Sequence, residues 1–369
     1  MSTGPVFRES LLEARQRLQR GREEIKQQHR TGSPGIQICT RLTDLLDGVI
    51  LELYEAALAD LWPAGSEEFR EQIALVAHGG YGRRDVAPYS DVDLMILQAP
   101  GTDQSVLPLA SRLMRDLFDA GLELGQSVRT PDQACRLAAE DATVCTSLME
   151  SRLLAGSEKL FRAFTERFQR RTHARRKGLF NAILDARRNE RLQFGETVYL
   201  LEPNIKRSRG GLRDLQLLRW LGFACYGTTD PDAMQLMGKL SKDDQRTLRD
   251  ASEYLLRLRN ELHFHAGKCN DVLDRSEQVR LAELYRYEGT HGILPVEQFM
   301  REYFHHTRGV RSVVSGFTAS ARPGQGLSRL WGTLFSHQVD GDYRVTLKQI
   351  VATDRGLQKL QTDLSEVLH

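Results

Sequence analysis

Near residue 75 a short apolar stretch runs into two adjacent glycines; ten residues later an Asp-x-Asp opens a second apolar stretch. The segment from Val76 to Gln98 reads VAHGGYGRRDVAPYSDVDLMILQ. Few folds accept that order. Ile73–Ala77 is too short for a helix and ends in glycine, so it reads as a buried strand and a turn, and VDLMILQ as a second strand. Asp91 and Asp93 are two apart at the start of that strand. Their side chains therefore share a face, with Cβ atoms roughly 6 to 7 Å apart. Two carboxylates that close repel, and burying them costs several kcal/mol unless a cation lies between them.

A divalent metal resolves the conflict. Mg²⁺, or Mn²⁺ in its place, favours one or two carboxylates together with phosphate oxygens, and one carboxylate can bridge a metal pair. Gly79 and Gly80 let the backbone approach a triphosphate closely. Arg83, Arg84 and the Ser90 hydroxyl stand nearby to neutralise and orient phosphates. A third carboxylate is expected from a neighbouring strand, and GLELGQSVR offers Glu123 between two leucines. Asp116 and Asp119 compete for that role, but their helical setting puts them on a polar face. Rival phosphate motifs fail: GGYGRR lacks the third glycine of the dinucleotide fingerprint, and neither GxxxxGK[ST] nor HExxH occurs.

Along the chain, residues 7 to 60 read as two helices broken at RTGSPG. Strand, turn, strand, helix (VLPLASRLMRDLFDAG) and strand (LELGQSVRT) follow, a compact mixed α/β core. From about residue 131 the pattern is almost wholly helical, with TVCTSLMESRLLAG read as one helix ending in glycine. ARPGQG reads as a linker, and SHQVDGDYRVTL as a hairpin. The expected fold is α+β, with segments at 1–70 (helical), 71–150 (mixed-sheet core), 151–320 (helical domain completing the cleft) and 321–369 (linker and start of a further domain).

Composition limits the rest. No apolar run approaches the length of a membrane span, and the N-terminus lacks a signal-peptide core. Five scattered cysteines without CxxC spacing read as reduced thiols of a cytoplasmic protein. The basic run RFQRRTHARRK reads as a solvated helix face, and nucleic acid is not the expected partner. The histidines of HFH (His263, His265), and His305 and His306, read as helix-packing groups.

Gly-Gly followed by Asp-x-Asp resembles the signature of the DNA-polymerase-β-like nucleotidyltransferases. The fuller string, with GLELGQSVRT, is similar to the bacterial PII uridylyltransferases. LEPNIKRSRGGLRDLQ resembles that family's PNxKxGxGGLRD stretch, and LRNELHFHAGKCNDVL its RNxLHxxxxRxxDxL helix end. The resemblance spans roughly residues 70 to 315. It implies a small mixed-sheet nucleotidyltransferase core with a helical domain, metal ligation by Asp91 and Asp93, phosphate binding at Gly79 and Gly80, and a third ligand at Glu123. It places Lys206, Arg213 and Asp214 in the second motif and Arg259 and Asn260 in the third, as nucleotide-binding residues. The implied reaction moves UMP from UTP to a tyrosine of the PII signal protein. Glutamine-synthetase-type adenylylation, an RNA substrate and a catalytically silent nucleotide-binding module are the alternatives. The family continues into a His-Asp phosphohydrolase domain and ligand-sensing domains. This chain has no His-Asp dipeptide, so uridylyl removal and glutamine sensing are expected to be absent. A second arginine in YGRRDV departs from the family pattern.

Overall fold

Two long helices, α1 (Glu9–Arg30) and α2 (Gly35–Leu61), come first, either side of the RTGSPG break. This is a computed structural model; it describes residues 8–63, 65–290 and 292–322, and the backbone of three short strands beyond them. A single turn, α3 (Glu67–Arg70), leads into β1 (Ile73–Ala77). The glycine pair forms another turn, α4 (Gly79–Gly82), and β2 (Val92–Gln98) follows. Next come α5 (Asp103–Asp119), β3 (Leu124–Arg129), α6 (Pro131–Glu140), α7 (Ala142–Leu148) and β4 (Arg152–Gly156). Helices fill the rest: α8 (Glu158–Ala174), α9 (Arg176–Phe194), α10 (Leu212–Tyr226), α11 (Pro231–Leu236), α12 (Lys242–Ala266), α13 (Arg275–Leu284) and α14 (Pro295–Ala321).

The four strands lie in the order β3-β2-β1-β4; β2 and β3 run parallel, and the other neighbours antiparallel. Alternation along the strands sends side chains to two cores. Ile73, Leu75, Ala77, Val92, Leu94 and Ile96 pack against α1, α2 and α5. Ala74, Val76, Met95 and Leu97 face the opposite way, into a core shared with α6 to α10. Both faces of β1 are covered, which is why its five residues are all apolar and buried. By the same alternation Asp93 shares its face with Met95 and Leu97, on the side of the later helices.

Two readings change. Asp116 does not lie on a polar face of α5: it is buried and pairs with Arg112 at 2.7 Å. TVCTSLMESRLLAG is not a single helix: Asp141 caps α7 by accepting from the Thr143 and Val144 N–H groups, the helix ends at Leu148, and β4 pairs with β1. The second edge of the buried strand β1 needs hydrogen-bond partners, and supplying them overrides local helix preference. The sheet thus takes its edge strand from beyond residue 150. Elsewhere local signals agree with the outcome. Thr130 and Gln133 form a capping box on α6, Ser241 and Asp244 one on α12, and left-handed Gly267 ends α12.

Two compact units emerge, residues 1–321 and 322–369. In the second, β5 (His337–Val339), β6 (Tyr343–Val345) and β7 (Ile350–Ala352) pair antiparallel in sequence order. The Asp-Gly between the first two, and the linker stretch from Pro323 onward, lie outside the described residues. Among the described residues no helix is long and apolar enough to cross a membrane, and the five cysteines are free.

Candidate active site

Asp91 lies immediately before β2 and is exposed; Asp93 lies within it and is half-buried. Neither carboxylate accepts a hydrogen bond or makes an ion pair within 4.0 Å among the described residues. Burial pushes the Asp93 carboxyl up to about 6, Asp91 adds to that push, and Lys206 and Arg83 oppose it. Two acids are therefore held together without a direct partner at the start of β2, under the influence of Lys206 and Arg83.

Two glycines make room for Asp93. Gly79 has φ +57, and a side chain there would overlap Asp93 Oδ2 and crowd Ser147 Oγ. Gly125 lies opposite Asp93 in the parallel pair, where a methyl would stand 2.5 Å from Asp93 Oδ1. Gly80 has open space beside it, with Arg83 Nη2 the nearest group. His78 continues the ladder, its N–H donating to the Asp93 carbonyl at 3.1 Å, while its Nδ1 lies 2.8 Å from Ser147 Oγ. Burial takes the His78 imidazole down to about 4, against a backbone hydrogen bond at Leu94 and with help from Arg129.

Glu123 precedes β3 and is exposed. Its carbonyl accepts from Val92 N–H at 2.8 Å, one step before the Val92–Leu124 pair, so it stands in register with Asp91. The three acids do not close into one cluster: the only described group whose ligand atoms all lie within 4.8 Å of one another is His263, Cys269 and Asp271. There Arg259 Nε donates to Asp271 Oδ1 at 2.7 Å, so a guanidinium already supplies the positive charge a metal would bring.

The adjacent arginines part company. Arg83 turns inward and pairs with Asp85 at 2.9 Å and Glu150 at 2.5 Å; Glu150 also holds Arg219 at 3.0 Å. Burial works against the Arg83 charge, but Glu150 and Asp85 outweigh it. Arg84, at φ +67, pairs instead with Asp44 and Asp47 on α2. Ser90 Oγ accepts from Ala87 N–H at 3.2 Å and from Arg259 Nη2 at 3.1 Å, which ties the segment before Asp91 to α12.

From the helical side, Lys206 is half-buried and comes down to about 8: burial and Arg259 lower it, Asp271 and Asp91 raise it, and Arg213 lowers it further. Arg213 bonds Glu190 and Gln216 and lies over the Trp220 ring. Asp214 is placed differently. It is 1% exposed, bonded to Arg187 and Arg191 at 2.7 and 2.8 Å, and accepts from Gly210 N–H. Asn260, fully buried, donates to the Gly35 carbonyl and contacts Cys39. Both fasten elements together. Gly125, Glu150, Ser147 and Asp271 were not singled out from the sequence, although GLELGQSVRT contains Gly125 and the RNxLHxxxxRxxDxL likeness contains Asp271.

The histidines outside the site pack as expected, with His265 on Glu277 and His306 stacked on Tyr254. In the basic run, Arg167 and Arg171 lie on the exposed side of α8 with Asp132 as partner.

Known proteins match this sequence. Residues 178–318 fit the family model described as GlnD PII-uridylyltransferase. The bifunctional uridylyltransferase/uridylyl-removing enzyme of Azospirillum brasilense is 31% identical over 377 residues, which take in 100% of this chain and 40% of that protein. The enzyme of the same name from Azotobacter vinelandii is 40% identical over 244 residues, 64% of this chain and 26% of that protein. That of Burkholderia vietnamiensis (strain G4 / LMG 22486) is 36% identical over 276 residues, 75% of this chain and 32% of that protein. The chain thus spans 26 to 40% of the length of these relatives. The glycine turn, the acid pair and both downstream motifs fall within the full-length match, and the chain belongs to the GlnD PII-uridylyltransferase family.

Proposed function

We propose that this chain transfers UMP from UTP to a tyrosine hydroxyl of a PII signal protein, releasing pyrophosphate. One observation carries the reading: Asp91 and a partly desolvated Asp93 sit together at the start of β2 with no protein cation bonded to either among the described residues. The choice of UTP and PII rests on the family and on the relatives' names. The proposal concerns transfer; the uridylyl-removing activity also named in the relatives is no part of it. Free thiols throughout suit the reducing cytoplasm as its place of action.

The acid pair fits a divalent cation, since the carboxyl raised to about 6 by burial and by its neighbour is what a bound cation would relieve. Asp91 and Asp93 would hold Mg²⁺ or Mn²⁺, with Glu123 reaching the same region from the next strand. Such an ion supplies charge neutralisation for the triphosphate and lowers the pKa of a coordinated hydroxyl. The protein does the positioning. Gly79 and Gly80 leave the backbone open to phosphate oxygens. Lys206 and Arg83 act on Asp93, and with Arg213 and Arg259 they would neutralise the triphosphate, Ser90 being fixed by Arg259. Glu123, exposed and in register with Asp91, accepts the proton of the incoming tyrosine. Arg84, Asp214 and Asn260 act in this reading through the elements they fasten.

The test is incubation of the chain with Mg²⁺, a purified PII protein and each labelled nucleoside triphosphate in turn. Label passing from UTP to PII is the expected result. Label from ATP alone would replace the reading by adenylylation, and nucleotide binding with no labelled product would favour a silent module.

A further inference from the structure

Asp271 lies outside the residues assigned above, yet it meets two of their cations from one position. It follows the end of α12, in a segment that bridges back to the 203–206 loop: Val272 pairs with Asn204, and Leu273 N–H donates to the Pro203 carbonyl at 2.9 Å. The Asp271 carbonyl accepts from Ile205 N–H at 2.8 Å, next to Lys206. Its carboxylate Oδ1 accepts from Arg259 Nε at 2.7 Å and lies 3.0 Å from His263 Nε2. Arg259 in turn reaches Ser90 Oγ at 3.1 Å, the residue before Asp91.

The electrostatics require an anchor here. Arg259 is 5% exposed, Lys206 is half-buried, and Arg259 disfavours the charge of Lys206. Two such cations stay charged side by side only with an anion close to both. Burial alone would favour a neutral Asp271, but His263 and Arg259 hold its carboxyl well below the usual range. His263 is fully buried, its Nδ1 without a partner, so packing and the single bond to Asp271 fix the ring. With Nε and Nη2 committed, Arg259 Nη1 makes no hydrogen bond to the described protein and remains for an incoming oxyanion.

We propose that Asp271 is a positioning residue of the nucleotide site, fixing Arg259 through its carboxylate and the Lys206 loop through its backbone so that both address a triphosphate at the acid pair. This rests on the function proposed above. The Asp271 side chain touches no substrate; it acts through Arg259.

The experiment titrates a non-hydrolysable UTP analogue with Mg²⁺ into the full chain and the variants Asp271→Ala, Asp271→Asn, Arg259→Ala and the double Arg259→Ala/Asp271→Ala, with thermal melts alongside. Asp271→Ala is expected to weaken binding on the order of tenfold or more, and Asp271→Asn by less, because it keeps a neutral acceptor. On the Arg259→Ala background the Asp271 change should add less than about twofold, since residues acting as one unit are not additive. In the transfer assay KM for UTP should rise while kcat changes little, the mark of lost ground-state binding. Full additivity, or binding within about twofold of wild type in both Asp271 single variants, overturns the inference and leaves the function intact. Should the alanine variant melt early, the asparagine variant decides by the same twofold limit. Failure of the unaltered chain to bind the analogue overturns both.

Discussion

Replacing Gly125 by alanine separates the orientation of Asp93 from every other property of the site. The added methyl would stand 2.5 Å from Asp93 Oδ1, while Asp93 Cγ and Cα would lie at the ordinary distances of 3.6 and 3.9 Å. Ordinary contact begins near 3.4 Å, so Oδ1 alone must retreat by about 0.9 Å. Rotation about χ2 achieves this without moving the backbone, because that terminal torsion is broad. Gly125 lies in a strand and not in the left-handed region, so alanine is conformationally acceptable and reduces unfolded-chain entropy. Stability should therefore hold within about 1 kcal/mol. Activity should not. A misplacement of about 1 Å at a reacting group costs on the order of 10²-fold, or about 2.7 kcal/mol of transition-state stabilisation. Initial rates of labelled UMP transfer, measured beside a thermal melt, give both quantities from one preparation. A variant that melts like the unaltered chain and turns over within about threefold of it would refute the claim that Asp93 must point where the two glycines let it point.

Asp93→Asn should lower turnover on the order of 10³-fold or more, about 4 kcal/mol. It should also raise the melting temperature at pH 7 without metal, because it removes a carboxylate that burial and Asp91 disfavour; unchanged turnover would remove Asp93 from the reaction. His78, taken down to about 4 by burial, is neutral in the fold and protonates more readily when unfolded. Its contribution is fully present above about pH 6.5 and is lost as pH falls toward about 4. Denaturant titrations across that window should show His78→Gln flattening the acid limb, and an identical slope in the variant would contradict the assignment. Cys269 is the one exposed thiol and feels Asp91, Lys206 and Arg259, so a bulky maleimide should label it first and UTP with Mg²⁺ should slow the labelling. Equal rates with and without nucleotide would place the thiol away from the bound triphosphate.

Much of the core could be read from sequence because its signals are local. The apolar run of β1, buried on both faces, and the glycine-to-Asp-x-Asp spacing both reflect single-segment geometry. β4 was hidden because RLLAG follows a run that caps and starts as a helix, and only the open edge of β1 calls for a strand there. Adjacent residues were the harder problem. Arg83 and Arg84 look equivalent in sequence; a left-handed φ at Arg84 sends one to Glu150 and the other to α2. Arg213 and Asp214 likewise diverge at the first turn of α10, where Asp214 rotates into the pair of arginines on α9. Gly125 and Asp271 lie within the matched strings, but the strand register and the loop bridge through which they act are not legible in them.

The pairing of charges explains how the acid pair and the neighbouring cations coexist without collapsing together. Arg83 is engaged by Glu150 and Asp85, Arg259 by Asp271, and Arg213 by Glu190. Lys206 alone among these cations makes no ion pair within 4.0 Å among the described residues. Were one of the arginines to close on Asp93, a pair at about 4 Å and an effective dielectric constant near 20 would gain roughly 4 kcal/mol. That contact would fill the position a divalent cation needs. Acids elsewhere in the fold therefore do more than balance charge. By holding each arginine at hydrogen-bond distance elsewhere, they leave Asp91 and Asp93 open while keeping positive potential around them. Removing Glu150 or Asp271 should on this account harm the site in two ways, by loosening a phosphate-facing arginine and by freeing it to quench the acids.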